Sequence, residues 1–370
     1  MTRIDANPEC GAYQLSKPAC GHLLVAVRGT GFQPVKHCGW KPQPLNRILG
    51  HGGFTLLELL VAVTITLLLA GITLAVTTGT LNLWRRTQDS FSSGTQAKLA
   101  LDLLERDLQA AVHRRDANGT IWLAADVINV PGTLVGSHGW LTAPLMKPAA
   151  GESQPLVPDS ADSLAPSIAD ARFGLSGTWL RFIAATAESE NERALPRAIA
   201  YQIARRPVSG PVTATNPAEV RYSLFRTAVS NQTTFANGYD VATAYAATLA
   251  NPGTGSDALA TNVVDFGIWL YVRDAAGALR RIYPANKADL AHAATDAVAP
   301  GDASRFPEVA DVMVRILTDE GARIIDAMER ADGAIARPAA FANDAAWWWA
   351  VVEANSRVYT RRVEVKGSAL

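Results

Sequence analysis

"GHGGFTLLELLVAVTITLLLAGITLAV", Gly50 to Val76, is a long apolar run that carries one acidic residue, Glu58. From Phe54 to Leu83 no other residue is charged. About 20 apolar residues in a helix span a bilayer, so 54–83 is read as a transmembrane helix. A run of this length with a single charge is too long for a buried core helix. A secretory signal has a shorter apolar region, roughly 7–15 residues, with small residues after it. Here Gly52 and Gly53 come before the run, the reverse of that order. Glu58 is then the puzzle. A carboxylate at the bilayer centre costs about 2.5–3.5 kcal/mol on insertion scales, so it calls for a positive partner.

The flanks set the orientation. The 370 residues balance 34 Lys and Arg against 34 Asp and Glu. Arg3, Lys17, Arg28, Lys36, Lys41 and Arg47 face only Asp5 and Glu9 before the run, which leaves the remainder acidic. By the positive-inside tendency, residues 1–53 are cytoplasmic and the chain beyond the span is outside. A neutral total argues against a nucleic-acid partner, which selects for basic surplus. All three cysteines, Cys10, Cys20 and Cys38, precede residue 54, so the rest needs no disulfide.

"GFTLLELLVAV" resembles the processing motif of type IV prepilins. The resemblance implies that a prepilin peptidase cuts after Gly53. Phe54 becomes the N-methylated first residue, and residues 1–53 are a leader that is removed. It also implies that Glu58 meets the N-terminal amine of a neighbouring subunit. Electrostatics agrees, because an embedded carboxylate needs a cation and an embedded amine needs an anion.

After the span, "TQAKLALDLLERDLQAAVHRR" places Ala97, Leu101, Leu104, Leu108 and Ala111 on one helical stripe. Asp102 and Arg106 are spaced as an i,i+4 pair. Residues 84–117 are read as an amphipathic continuation of the helix, ended near Asn118-Gly119. Gly71, Gly79 and Gly94 are places where it could bend.

Residues 118–370 read as a β-rich extracytoplasmic domain. Alternation marks strands in "TWLRFIAAT", "AIAYQIAR", "VRYSLFRTA", "DFGIWLYVRD", "ALRRIYP", "DVMVRILTD" and "RVYTRRVEV". The last slips at Arg361-Arg362, as a bulge would. Short turns between sequential strands imply antiparallel pairing. Long loops are expected at 141–177, 228–261 and 285–307. "NDAAWWWAVVEANS" reads as a helix begun at Asn343 or Asp344. Successive positions turn about 100°, so two of Trp347, Trp348 and Trp349 are expected to be buried and one partly exposed.

The expected fold is therefore α+β and pilin-like, a long N-terminal transmembrane and amphipathic helix on a mainly antiparallel sheet domain. "LLERDLQAAV" with the "LRF", "YQI" and "YSLFR" strands is similar to J-type minor pseudopilins of type II secretion and W-type minor pilins. "NSRVYTRRVEV" resembles the prepilin-like Verru_Chthon cassette protein C.

Catalytic signatures are sparse. His113, His138 and His292 are the histidines beyond the motif, with no H-E-x-x-H, no Cys pair, no G-x-S-x-G and no P-loop. "GTGSDA", 253–258, lacks the third glycine of a phosphate loop. Asp311, Asp319 and Asp326 are too scattered for a calcium loop. No enzyme, metal or cofactor is expected. Two readings follow. One is a structural subunit, a minor one by its size, of a type IV pilus or type II secretion pseudopilus. Its partners would be prepilin peptidase, other pilin or pseudopilin subunits, the inner-membrane assembly platform and membrane lipid. It would be a single-pass inner-membrane protein with a periplasmic C-terminal domain. The alternative is a membrane-anchored extracytoplasmic binding or hydrolytic protein that uses the helix only as an anchor. Glu58 separates them, because a plain anchor has no use for it.

Overall fold

The computed structural model describes residues 55–114, 119–127, 147–152, 156–157, 167–175, 177–187, 193–207, 219–242, 258–295, 304–329, 335–365 and 368–369. The chain divides into two units, residues 1–67 and 68–370. An N-terminal apolar helix is followed by mostly antiparallel sheets, a mixed α+β arrangement.

Helix α1 is Leu56–Gln109, 54 residues. Gly71, Gly79 and Gly94 do not interrupt it. Its last turns bury Ala97, Leu101, Leu104 and Leu108, and Ala111 just past its end completes the stripe read from the sequence, all at 5% exposure or less. The helix ends at Gln109, earlier than the expected 117, and strand β1 (Val112–His113) follows. Tertiary bonding stops it. The carbonyl of Ala110 accepts from the Ala185 amide at 2.9 Å, and Ala111 bridges Ala184. Those groups are then lost to a further turn.

The remaining strands are β2 (Leu123–Val127), β3 (Thr178–Thr186), β4 (Leu195–Pro207), β5 (Val220–Ala228), β6 (Ala258–Thr261), β7 (Val263–Arg273), β8 (Leu279–Tyr283), β9 (Ala291–Ala294), β10 (Val309–Leu317), β11 (Ser356–Glu364) and β12 (Ser368–Ala369). Six of them form an antiparallel sheet in the order β6-β5-β4-β3-β2-β9. Four form a second antiparallel sheet, β11-β10-β7-β8. The short β1 and β12 pair in parallel. Strand β7 lies against β3, β4 and β5, and one core joins the α1 stripe to both sheets. The β7–β8 hairpin turns on Asp274, whose carboxylate accepts from the amides of Ala276 and Ala278, both at 2.9 Å. Gly277 closes it at φ +82°, where an L side chain is strained.

Three intervals expected to be loops hold more order than that. Within 228–261 lie a short helix, α2 (Asn231–Ala236), and β6; within 285–307 lies β9. Their short strands have too few residues to show an alternation, and neighbouring strands recruit them. Within 141–177, a 3₁₀ turn at Ile168–Asp170 and the apolar Leu156, Val157, Ala171 and Phe173 pack on Trp269 and Met313. This segment covers part of the four-stranded sheet. Phe173 fills the space over Gly267, where a Cβ would come within 1.8 Å of the ring.

Three further expectations are corrected. Strand β11 pairs with β10 in unbroken register from Ser356 to Glu364, so Arg361-Arg362 is not a bulge. Each arginine instead finds acids on its own side of the strand. Arg362 makes two 2.7 Å bonds to Asp311, and Arg361 binds Asp102 and Glu105 of α1. Asp102 is thus engaged across the fold by Arg361, where the sequence spacing pointed to Arg106. The helix α3 (Asp319–Met328) and the helix α4 (Asp344–Asn355) complete the fold. Asn343 caps α4 through the Ala346 amide at 2.7 Å. All three tryptophans of α4 are buried, Trp347 at 6%, Trp348 at 0% and Trp349 at 1% exposure. The helix is enclosed on more than one side. Trp348 faces Glu329 and Tyr222, while Arg172 stacks over Trp349 at 4.5 Å.

Candidate assembly site at the helix start

The motif residues Gly53 and Phe54 lie outside the described residues, as do His138 and the glycine stretch of 253–257. At Thr55 the acidic residue finds a local partner. The Thr55 amide and hydroxyl both donate to Glu58 Oε2 at 3.0 Å. In return, the Glu58 amide donates to Thr55 Oγ1 at 3.3 Å. This is a reciprocal capping box, which satisfies two amides that a helix start otherwise leaves orphaned. A carboxylate in the first turn also complements the positive end of the helix dipole. The sequence signal was available as Thr-x-x-Glu ahead of an apolar run. Reading Glu58 only as an embedded charge passed over it.

From this cap, Leu56–Trp84 forms a 29-residue helix long and apolar enough to cross a membrane, with no part of it buried in the protein. Leu56, Leu57 and Leu59 stand exposed. The threonines along it turn their hydroxyls back onto the helix. Thr66, Thr73, Thr77 and Thr80 bond the carbonyl four residues earlier at 2.8–2.9 Å. In hydrocarbon every polar group must be satisfied internally, and these are.

Past residue 90 the helix is tied to the domain by polar contacts. Ser93 and the Tyr359 hydroxyl are 3.2 Å apart, and Gln96 accepts from the Thr261 amide at 2.9 Å. Asp107, fully buried, accepts from Tyr201 at 2.6 Å and from Arg226 at 2.7 Å. Burial and the adjacent Asp107 carboxylate push the Tyr201 hydroxyl well above its ordinary value. A second buried hub is Glu329, which accepts from Arg205 (2.6 Å), Tyr222 (2.7 Å) and Trp348 (2.9 Å). Burial raises its pKa against the pull of Arg205. Lys147, also buried, is pushed down to about 8 by burial, against the opposing field of Asp265.

The other singled-out residues are dispersed. His113 stacks on Phe306 at 4.5 Å, and His292 Nε2 lies 3.2 Å from the Arg305 carbonyl. Asp311 pairs with Arg362, Asp319 accepts from Asn262, and Asp326 accepts from the Val220 amide. Among the described residues no three of His, Cys, Asp and Glu gather as metal ligands.

Residues 50–74 match the model of the prokaryotic N-terminal methylation motif. The match takes in Gly53, Phe54, Thr55 and Glu58 and the apolar helix as far as Leu74. In this region the chain is similar to the precursors of type IV pilins and pseudopilins. No curated protein and no solved structure matches the chain.

Proposed function

We propose that this protein is a structural, non-enzymatic subunit of a type IV pilus or type II secretion pseudopilus-like filament. Its resemblance to the minor pseudopilins and its large β-rich domain support a minor position. Prepilin peptidase would cut after Gly53, methylate Phe54 and release residues 1–53. The subunit would sit in the inner membrane by α1, with its sheets in the periplasm, until the assembly platform recruits it beside other pilin-type subunits.

One observation carries the reading: the methylation motif over 50–74 opens directly into an uncovered apolar helix with an acid at its first turn. Glu58 is capped by its own Thr55 in the single chain. A neighbour's Phe54 amine offers a full positive charge in place of two neutral donors, and charge-assisted bonds are roughly twice as strong. The domain supports a structural role as well. Its buried acids Asp107 and Glu329 are spent on ties between elements, α1 to β4 and β5 in one case and the C-cap of α3 to α4, β4 and β5 in the other.

Two measurements test this. N-terminal mass spectrometry of the mature protein should find methylated Phe54; a start downstream of Ala70 would mean ordinary signal-peptide processing and overturn the proposal. Glu58→Leu should remain cleaved and membrane-inserted but crosslink less to its partner subunits. Equal crosslinking would remove Glu58 as an assembly contact and favour the simple anchor.

A further inference from the structure

We propose that the cleft between the free edges of β8 and β9 binds an extended peptide segment of a partner protein, and that Arg281 takes an acidic side chain of that segment. The inference stands on the sheet domain alone and does not depend on the membrane helix.

The topology makes the cleft. Strand β8 ends the four-stranded sheet, and β9 ends the six-stranded one. A short loop, residues 284–290, runs from one end strand to the other, and the space they border is about 540 Å³. Arg281, Ile282, Ala291 and His292 line it from the strands, and Ala285 and Ala288 from the loop.

Both strands have backbone groups to offer there. The Asp274 amide donates to the Ala278 carbonyl at 2.9 Å, and the Val127 amide donates to the Leu290 carbonyl at 2.8 Å. Antiparallel neighbours alternate between bonded and non-bonded pairs. Counting along the register from those bonds, Tyr271 with Arg281 and Asp126 with Ala291 are non-bonded pairs. Arg281 and Ala291 therefore turn their amide and carbonyl away from their own sheets. Such an edge is a template for a further strand, in which main-chain bonds give affinity and side chains give specificity. The alanines of the cleft leave room for a second backbone.

Charge sets the class of side chain. Arg172, Arg181, Arg205, Arg226 and Arg362 each find a carboxylate within the fold. Among the described residues Arg281 finds none. Its guanidinium lies over the Trp269 ring at 4.8 Å, and its Nε is shut off from water without an acceptor. A donor so placed has lost its hydration and received nothing in exchange. The other ionisable groups of the cleft are engaged. His292 Nε2 lies 3.2 Å from the Arg305 carbonyl, and burial holds the ring towards its neutral form. The Asp289 carboxylate accepts from the Ala285 amide at 2.7 Å. Arg281 is the charge left for a ligand, and a carboxylate is the acceptor that a guanidinium binds most strongly.

The full chain in detergent micelles would be titrated into fluorescein-labelled Thr-Val-Glu-Val-Thr-amide, with anisotropy as the readout. Binding should saturate, weaken about tenfold or more when the peptide's Glu is replaced by Gln, and vanish when the peptide's backbone amides are methylated. Arg281→Gln should erase the preference for Glu over Gln. Ala291→Pro removes an outward amide and spares the bonds to β2, so it should weaken both peptides alike. No binding to the wild-type chain, equal binding of the Glu and Gln peptides, or indifference to backbone methylation would overturn the proposal, and none of these comparisons needs a variant protein. Glutarate that displaced the peptide at equal concentration would also overturn it, because the cleft would then take a small acid only.

Discussion

At Lys147 a single buried amine gives the soluble domain a pH signature. Its folded pKa is pushed from the ordinary 10.5 down to about 8 by burial. Between those values the unfolded chain holds a proton that the folded chain has lost, so folding stability rises with pH across this window. Below about 8 the folded amine is charged too, and the fold bears its burial cost in full. Tyrosines act in the opposite sense at the alkaline end, since Tyr201 and Tyr222 are pushed above their usual range. The measurable interval is therefore about pH 8 to 9.5. Urea unfolding should show stability increasing there, and Lys147→Met should flatten the slope. A slope unchanged by Lys147→Met would place the titration elsewhere. The sequence gives no hint of this residue, because Lys147 stands in a Pro- and Ala-rich stretch that reads as solvated loop. Its burial is a product of where that stretch packs.

At the scale of elements, legibility followed length and regularity. The α1 stripe and the seven strands named from the sequence are readable because apolar residues recur at the right period. Strand β2 was not, although it is an inner strand of the six-stranded sheet. Trp122 and the strand's first residues, Leu123–Ala125, are buried together as a continuous apolar run too short to show an alternation. The segment around Phe173 was missed for a related reason: its partner is the absence of a side chain at Gly267, which no local pattern reveals. Gly267→Ala tests that contact, since the new Cβ would fall 1.8 Å from the Phe173 ring. It should cost about 1–3 kcal/mol, the usual range for overpacking, and speed amide exchange over 167–175 while leaving the β7–β10 register protected. Combined with Phe173→Ala, the cost should be clearly less than additive. Full additivity would show that the two sites do not share the space.

For the whole molecule, the question is whether the domain needs its membrane helix to fold. Its core is supplied from residue 97 onward: the α1 stripe, both sheets, α3 and α4 enter one buried cluster. Ties that hold α1 in place also lie beyond residue 90, at Ser93, Gln96, Asp102, Glu105 and Asp107. The 29 residues Leu56–Trp84 before that are exposed and add nothing to the cluster. Removing them subtracts apolar surface from water without subtracting a core contact, so solubility should improve at no cost in stability. A fragment of residues 88–370 should therefore be a soluble monomer with a single cooperative urea transition, insensitive to reductant because it has no cysteine. Light scattering and the coincidence of tryptophan fluorescence with circular dichroism would measure this. The position of the ties sharpens the expectation. Starting the fragment at residue 110 would remove Asp107 and leave Arg226 and the Tyr201 hydroxyl without their shared carboxylate, besides stripping Leu101, Leu104 and Leu108 from the core. Loss of one member of a buried pair alone costs about 3–5 kcal/mol, a large share of a domain's 5–15 kcal/mol. The shorter fragment should fail to fold where the longer one succeeds. If both fold alike, α1 is an appendage to the domain and its buried stripe is not part of the core that holds the sheets together.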